Sequence, residues 1–558
     1  MPVYGEESAV IEFSKGLWFS DTPDIPEGFC RGLENLILND VGSLVVRPSI
    51  RASFGAIDTA GIAVPDVDDR STFYSASRFI NGSFLGTIDD PNNVPTYIEP
   101  NLSTNIVAVP YSLGTIHPLT GAAVRHQKLS EVPGSNWVMY RDRTYVWTYN
   151  DGIKQVVGWN VAAPTNLTET NIAGSPTVAA YSGIGVHGHL IVHKDRLFLF
   201  TQYGRVYYTE TAAVGGYPET WNIGTNFFGV PVVQICNVFV KDDDVFIWTT
   251  KGVWKLQVYG PPESWILKNV LSDISVQDSS QVCLNRGVFY YTARKSVFAF
   301  NGVDNVDISK PIKTHLEKCH GLGVFVFENG VIVCAEIYDT IEYAPATFNL
   351  GIESTKLLYF DATSGIWSEI SISGQNGPII TGSFVDVRNK QSDSRPTTYI
   401  SMLIKTTAYN ESYAQQTFFV SRLDVAGDSV TNDYAETTLP IEFSVETNHW
   451  VGNSHKEKRI KYGYARLYST LDTVEFNVKV DGIDVNSPQE LEFDEFVDDH
   501  YYNQALKMPG FARRLAITVS GEVAAADIGS SIVTTPFILT DITLIYNTGR
   551  NEEKTSSG

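Results

Sequence analysis

The sequence has 558 residues, of which 43% are hydrophobic and 12% aromatic, so the chain can bury a large core. Its formal net charge is −22, from 63 acidic and 41 basic residues. That balance argues against binding to nucleic acid or to an anionic membrane surface, because both need clustered Lys and Arg. The five cysteines are scattered and form no CxxC pair, which argues against a disulfide framework and predicts folding in a reducing cytosol.

The N-terminal region predicts one short β-hairpin. Residues 1–13 hold three glutamates and no apolar core, so we expect no signal peptide. Two apolar runs, residues 33–38 and residues 43–47, then flank Asn39-Asp40-Val41-Gly42. In such a hairpin Gly42 takes positive φ without a Cβ clash, and Pro48, which has no backbone donor, ends the second strand. No run in the chain reaches the ~18 apolar residues of a membrane helix.

The middle of the chain repeats one device. A polar turn leads into an aromatic, β-branched strand, and a turn bearing Gly or Lys leads into a second strand. The spacing between units falls from about fifty residues to about forty-three, and a further unit is expected at residues 72–98. Repeats of roughly 40–50 residues with several strands each are typical of β-propeller blades, which bury both sheet faces only in a ring. The alternative is a large β-sandwich with ordinary hairpins.

A different pattern follows the repeats. The polar residues 421–437 predict a linker or long loop, and strict alternation beyond them predicts an antiparallel sheet solvated on one face. The fold class is therefore all-β: a β-propeller-like ring of blades plus a C-terminal antiparallel β domain joined by the N-terminal hairpin. Because the termini of a domain commonly meet, residues 1–60 should pack with the C-terminal domain. The remaining divisions are the propeller-like domain (61–420), the C-terminal domain (438–548) and a flexible tail (549–558).

Three groups of chemistry-bearing residues are interpreted as structural. His187, His189 and His193 would share one strand face, but no further ligand of matching spacing stands nearby, so no metal is expected. Residues 361–367 are similar to the Asp-box turn of glycan hydrolases, which stabilises a hairpin far from catalysis. The acidic residues 490–500 favour a solvated face over calcium ligands or a glycosidase acid pair. Because GxSxG, P-loop and HExxH motifs are missing, we expect neither an enzyme nor a cofactor.

The order of short elements near the N-terminus is specific. Gly16-Leu17 is followed by a Pro-rich loop, Asn35-Leu36, Gly42-Ser43-Leu44 and Arg47-Pro48. This order resembles the N-terminus of the tail-nozzle proteins (tail tubular protein B) and related propeller-type tail proteins of short-tailed bacteriophages. Ser49 departs from the pattern, because Gly is expected after Arg-Pro. A Lys- and Arg-rich stretch before the C-terminal strands extends the resemblance.

The resemblance implies a structural virion protein of the phage tail. As a nozzle subunit it would form a homohexameric ring through which DNA leaves the capsid for the host. Its partners would be other copies and other tail proteins, such as adaptor and fibre or spike proteins, while viral DNA passes without specific binding and no membrane is entered. The chain would reside in the virion, and in the host cytoplasm during assembly. The implied family-signature residues are Gly16, Asn35, Gly42, Arg47 and Pro48, and the implied subunit-interface residues are Lys456, Lys458, Arg459 and Lys461.

Two other classes of function stay open at this stage. A virion propeller could bind a glycan or a receptor without catalysis. A sialidase-like hydrolase would instead need a convergent cluster of Arg and carboxylate side chains. Since a fold by itself does not decide function, these alternatives are separated by the site and not by the propeller pattern.

Overall fold

The computed structural model describes twenty-nine segments of the chain. They are residues 7–19, 25–39, 41–47, 49–52, 73–80, 83–89, 111–116, 123–128, 133–141, 143–148, 152–157, 168–177, 188–231, 234–277, 279–319, 321–327, 329–338, 352–371, 379–386, 397–405, 413–421, 441–450, 458–469, 471, 473–485, 488–492, 502–509, 511–523 and 537–548.

These residues form an almost entirely β structure. In chain order the first strands are β1 Glu7–Ile11, β2 Cys30–Glu34, β3 Leu36–Leu38, β4 Leu44–Val46, β5 Ser49–Ala52, β6 Phe73–Ile80, β7 Ser83–Asp89, β8 Tyr111–Ile116, β9 Ala123–Lys128, β10 Pro133–Tyr140, β11 Arg143–Thr148, β12 Gly152–Val157, β13 Thr168–Asn171, β14 Gly188–His193, β15 Arg196–Thr201, β16 Arg205–Tyr208, β17 Phe227–Gly229, β18 Ile235–Lys241, β19 Asp244–Thr249, β20 Gly252–Gln257 and β21 Ile266–Leu271. The later strands are β22 Val282–Asn285, β23 Val288–Ala293, β24 Ser296–Phe300, β25 Asn305–Asp307, β26 Gly321–Phe327, β27 Gly330–Tyr338, β28 Ile352–Asp361, β29 Ile366–Ile370, β30 Ile379–Asp386, β31 Thr397–Lys405, β32 Tyr413–Ser421, β33 Ile441–Thr447, β34 Lys458–Ser469, β35 Thr473–Val480, β36 Ile483–Asp484, β37 Gln489–Glu492, β38 Tyr502–Leu506, β39 Leu515–Val523 and β40 Phe537–Thr548. The helical turns described are 3₁₀ turns at Pro262–Ser264, Ser279–Gln281 and Lys310–Ile312, and the short helix α1 Lys313–Lys318.

The strands of the middle region form antiparallel four-stranded sheets. Five sheets are consecutive meanders: β6–β9, β10–β13, β14–β17, β18–β21 and β22–β25. Strands β26–β29 continue the same order inside a larger sheet, and β30–β32 form a sheet completed by β5 from the N-terminal region. The prediction of an all-β chain with repeated hairpins is therefore confirmed.

Neighbouring sheets share cores built from the aromatic strands. Trp147 packs with side chains of β14 and β15, and Trp248 lies 5.0 Å from Tyr291 of the sheet β22–β25. Both tryptophans are fully buried. The first strands of successive sheets lie against each other from β10 to β14 and β18, and from β22 to β26 and β30, and β30 also contacts β6. Aromatic side chains on the second strands of the sheets, such as Trp147 of β11 and Trp248 of β19, thus bury sheet faces that a single sheet would leave in water.

Turns on one side of these sheets connect neighbours. The β14–β15 turn places Lys194 and Asp195 at φ 48° and 57°, the geometry of a two-residue hairpin turn. The Tyr140 hydroxyl donates to Asp195 Oδ1 at 2.7 Å, and Lys194 Nζ donates to Asp243 Oδ1 at 2.5 Å. The charged residues of this turn therefore contact the sheet on either side.

The C-terminal strands form two layers. One layer places β40 between β34 and β4, with β38 beyond β34 and β1 also pairing with β40. The other is a ten-stranded sheet that runs from β26–β29 through β2 to β33, β39, β35, β36 and β37. Phe443 of β33 and Phe537 of β40 meet across the layers, with ring centroids 4.6 Å apart. The two layers therefore enclose one core.

The N-terminal hairpin differs in one detail from its prediction. Residues 33–38 were expected to form one strand, but Asn35 separates β2 from β3 at φ +55°. Beyond it, β3 pairs with β4, and β4 pairs with β40 through Leu44 and Leu539. The interruption lets β2 join one layer and the hairpin join the other. Residues 422–437, the tail 549–558, Pro48 and Lys456 lie outside the described residues.

Candidate functional site

Three of the residues that carry the family resemblance, Gly16, Asn35 and Arg47, lie at the junction between the middle region and the two C-terminal layers. Asn35 is completely buried there. Its Nδ2 donates to Ser371 Oγ at 2.8 Å and to the Glu442 carbonyl at 2.7 Å, and its Oδ1 accepts from Arg47 Nε at 2.8 Å and from the Ser371 amide at 3.0 Å. An Asn side chain offers two donors and two acceptor positions, and all four are used. This one amide therefore connects the end of β29, strand β33 and the hairpin.

Arg47 completes the same network. It is fully buried, and its Nη2 donates to the Ser371 carbonyl at 2.8 Å. Its backbone amide donates to the Asn35 carbonyl at 3.0 Å, so the two residues close the base of the β3–β4 hairpin. Burying a guanidinium is favourable only when its donors find partners, and a backbone carbonyl and an amide oxygen supply them here.

Gly16 brings a second part of the N-terminal region onto β29. Its φ is +73°, and a Cβ would lie 2.8 Å from Ile366 Cβ and 2.9 Å from the Trp367 carbonyl. The following amide, Leu17, donates to that same carbonyl at 2.9 Å. Only glycine allows the backbone to approach β29 this closely in this conformation.

Gly42 occupies the hairpin turn for a different reason. Its φ is +83°, as predicted, and a Cβ added there would meet nothing within 4 Å. Its amide donates to the Asn39 carbonyl at 3.0 Å, and Asn39 Oδ1 accepts from the amides of Val41 and Ser43. Asn39 thus holds the turn while glycine supplies the left-handed conformation.

The basic segment divides between interior and surface. Lys458 opens β34 and is fully buried, with Nζ 5.6 Å from the Trp450 ring centroid. Burial lowers its pKa, and Glu7 opposes that effect. Lys458 therefore packs inside the chain, whereas Arg459 is exposed and Lys461 is half-buried. The subunit-interface role of Lys456, Lys458, Arg459 and Lys461 stays a prediction, and of these four side chains Arg459 is the exposed one among the described residues.

The three groups interpreted as structural are described only in part, since residues 493–500 of the acidic group lie outside the described residues. His189 and His193 are buried in β14, and burial lowers the pKa of His193; His187 lies outside the described residues. Asp361 holds its own turn, since its Oδ1 accepts from the Thr363 amide and its Oδ2 from the Ser364 hydroxyl, both at 2.9 Å.

A search of the described part of the chain finds no group of three or more His, Cys, Asp or Glu that could hold a metal ion. Within the same residues, no helix is both long and apolar enough to cross a membrane.

A polar cleft of about 620 Å³ lies beside the junction. It is lined by residues 8–15, 25, 27–30 and 447–450 and by Tyr546. Its Cys30 is buried, which raises the pKa of the thiol to about 12 and keeps it protonated and unreactive. The described lining residues therefore form a boundary between the N-terminal segment and the C-terminal layers.

Sequence reasoning missed the partner of Asn35. Ser371 uses its hydroxyl, amide and carbonyl in the junction, yet it lies 336 residues away in a segment without a distinctive pattern. A pairing at this separation has no local signal.

Comparison with known proteins gives a likeness of structure alone. No family model matches the chain, and no curated protein matches it. Among solved structures it is similar to the computationally designed Ika8 protein, with 9% identity over 66% of this chain and 90% of that chain and a TM-score of 0.33. It is also similar to BamB from Moraxella catarrhalis (11% identity, 60% and 79% covered, TM-score 0.34) and to a chain of the Mitotic Checkpoint Complex (10% identity, 64% and 96% covered, TM-score 0.34). Since these TM-scores are below 0.5, nothing about function is taken from these proteins.

Proposed function

We propose that this chain is a structural virion protein, the tail-nozzle subunit of a short-tailed bacteriophage. The observation that carries the proposal is the Asn35 network. The signature residues Gly16, Asn35 and Arg47 are those that fasten the N-terminal region to β29 and β33. The resemblance therefore involves residues on which the architecture depends, and not a string on the surface. Its function would be mechanical: to join copies into a channel for DNA exit.

The order of the sheets supports a propeller-like ring within each subunit. Seven four-stranded units follow in sequence when β26–β29 is counted, and the first strands of neighbouring units pack from β10 to β14 and β18 and from β22 to β26 and β30. Strand β5 completes the last unit, and β30 of that unit contacts β6 of the first. An N-terminal strand that pairs with the last sheet covers its edge strand and can join the last unit of a ring to the first.

The experiment is localisation in particles of a phage that encodes this chain. Gold-labelled antibody against the chain should mark the tail, and symmetry-resolved imaging of the tail should show six copies around the exit channel. An antibody against a capsid protein is the positional control. Antibody label on the capsid would refute the proposal, and so would the absence of the chain from purified particles.

The alternatives give different results. If the chain is a receptor-binding propeller, the antibody would also mark the tail, but the isolated chain would bind host glycans. A hydrolase would release product from sialosides or peptidoglycan, and one carboxylate substitution would abolish the release. For a nozzle subunit we expect background readings in both assays.

A further inference from the structure

The two outer faces of the C-terminal layers carry opposite charge. In β33, Ile441 and Phe443 are buried in the core, so Glu442 between them points outward and is exposed. In β34, Ile460 and Ala465 are buried, while Arg459 and Tyr464 are exposed. Because the buried residues of the two strands contribute to one core, the exposed residues lie on opposite sides of the layered structure.

One outer face is acidic and internally repulsive. Glu442 of β33 is the direct cross-strand partner of Glu522 of β39, and Glu475 of β35 is the direct partner of Glu490 of β37. All four side chains are exposed. These four glutamates are called the acidic face. Like charges directly opposite each other destabilise a sheet, so two such pairs side by side are unfavourable in an isolated subunit.

The four glutamates are not explained as a cation site. They do not make up a group that could hold a metal ion within the described residues. Glu446, farther along β33, is already paired, because Lys479 Nζ donates to it at 2.8 Å. What remains is a set of carboxylates without a described function in one copy of the chain.

The opposite outer face is aromatic and basic. Tyr462 and Tyr464 of β34 are 55% and 37% exposed, and their ring centroids are 6.4 Å apart. Arg459 at the start of the strand and Lys507 after β38 are also exposed. These four residues are called the tyrosine face. Arg466 stands opposite Asp541 of β40 and is left out for that reason. Exposed tyrosine and arginine side chains are enriched at protein interfaces.

We propose that the tyrosine face of one copy docks on the acidic face of the next copy. The charges are complementary, and contact would relieve the repulsion between the opposed glutamates. Since the two faces lie on opposite sides of the same domain, the contact is heterologous, and repeating it generates a ring when the rotation closes. The inference rests on the proposed ring function and names the surface that would build the ring.

The test is self-association of the full chain, measured by sedimentation over a range of concentrations at about 50 mM and about 500 mM salt. The first variant reverses the tyrosine face by Arg459→Glu with Lys507→Glu. The second reverses the acidic face by Glu442→Lys with Glu522→Lys. Each variant alone should raise the dissociation constant about tenfold or more, and the wild-type association should weaken at the higher salt.

The two variants mixed together should associate again. In an alternating assembly the reversed tyrosine face of one variant meets the reversed acidic face of the other, and the two intact faces meet in turn, so every contact joins opposite charges. The control carries Glu263→Lys with Asp273→Lys, two exposed acids of the middle region, and has the same change of net charge as the acidic-face variant. It should associate like the wild type, which separates a local contact from a general effect of net charge.

Three results would overturn the inference: a wild-type chain that stays monomeric throughout, reversals that leave association unchanged, or a mixture that does not recover. Oligonucleotide or glycan binding lost on Tyr462→Ser with unchanged self-association would give the tyrosine face another partner. The proposed function fails separately, because antibody labelling of particles does not depend on which face makes the contact. Tail labelling without recovery in the mixture refutes only this inference, whereas recovery without tail labelling refutes only the nozzle function.

Discussion

Arg47 Nε donates a hydrogen bond to Asn35 Oδ1 at 2.8 Å, and neither residue is exposed to solvent. One residue lies just before β3 and the other just after β4, so the bond closes the hairpin. The same Asn35 oxygen accepts from the Ser371 amide at the end of β29. Hairpin closure and attachment to the middle region therefore depend on one atom.

Replacement of Asn35 by Ala should be among the most destabilising single changes in the chain. It removes four hydrogen bonds and leaves Arg47 Nε and the Ser371 amide buried without this acceptor. We expect the free energy of unfolding to fall by about 3–5 kcal/mol. Urea unfolding followed by tryptophan fluorescence measures the loss. Asn39→Ala is the matched control, since it removes two hydrogen bonds in a half-buried turn and should cost about 1 kcal/mol. Equal losses would contradict the role assigned to Asn35.

Alanine variants of Gly16 and Gly42 distinguish two costs of adding a Cβ atom: backbone strain at positive φ and steric overlap with neighbouring atoms. Both have positive φ, but only at Gly16 does an added Cβ meet backbone and side-chain atoms below 3 Å. Gly42→Ala should cost about 1 kcal/mol through the left-handed conformation alone. Gly16→Ala should cost roughly 2–4 kcal/mol, because β29 must shift as well. Thermal unfolding of the two variants side by side gives the comparison, and a ranking in the other order would show that the approach to β29 is not tight.

Asp361 tests the structural interpretation of its turn. Asp361→Ala loses the acceptors for the Thr363 amide and the Ser364 hydroxyl above the buried Trp367. We expect a loss of about 1–2 kcal/mol in the free energy of unfolding and no change in self-association. Conservative Asp361→Asn should retain part of the stability. A variant with full stability but altered glycan turnover would favour the hydrolase alternative.

His315 gives the fold an acid sensitivity. Burial, and after it the charges of Lys356 and Lys318, lower the pKa of His315 from 6.5 to about 4. Between these two values the unfolded chain binds a proton that the folded chain does not, so stability falls as the pH drops from about 6.5 to about 4 and is fully present above that window. The loss should be about 1–2 kcal/mol, because the half-buried ring keeps some contact with water.

His315→Gln should remove this part of the pH dependence while costing some packing on Phe19, whose ring centroid lies 4.9 Å away. Urea midpoints of both proteins at pH 7.5 and about pH 4.5 make the comparison. If the wild type and the variant lose equal stability between those values, the assigned role of His315 is wrong.

Local signals in the sequence predicted the hairpins of the middle region. The alternation of aromatic and β-branched residues around Lys194-Asp195 or Gly252 fixes strands and turns within about ten residues, where sequence patterns are informative. The two strands expected after each polar turn are formed, as β15 and β16 in one unit and as β19 and β20 in the next.

Partners far apart in the chain could not be predicted in the same way. The break at Asn35 depends on Ser371 and on the Glu442 carbonyl, 336 and 407 residues away, and the apolar run around it looked like one strand. The opposition of Glu442 and Glu522 is likewise a property of strand register, although alternation already placed Glu442 on the outer side of its strand. Long-range pairing, not local conformation, sets these features.

The pairing of β4 with β40 has a consequence for synthesis. Leu44 cannot pair with Leu539 until the ribosome has synthesised roughly 500 more residues. At translation rates of about 5–20 residues per second, the hairpin has no partner strand for roughly 25 to 100 s. Strand β5 waits in the same way for β32. During that interval the nascent chain carries edges that invite chaperones or wrong partners, and the ribosome delivers the last strand of the hairpin's sheet only when the rest of the described chain is already made.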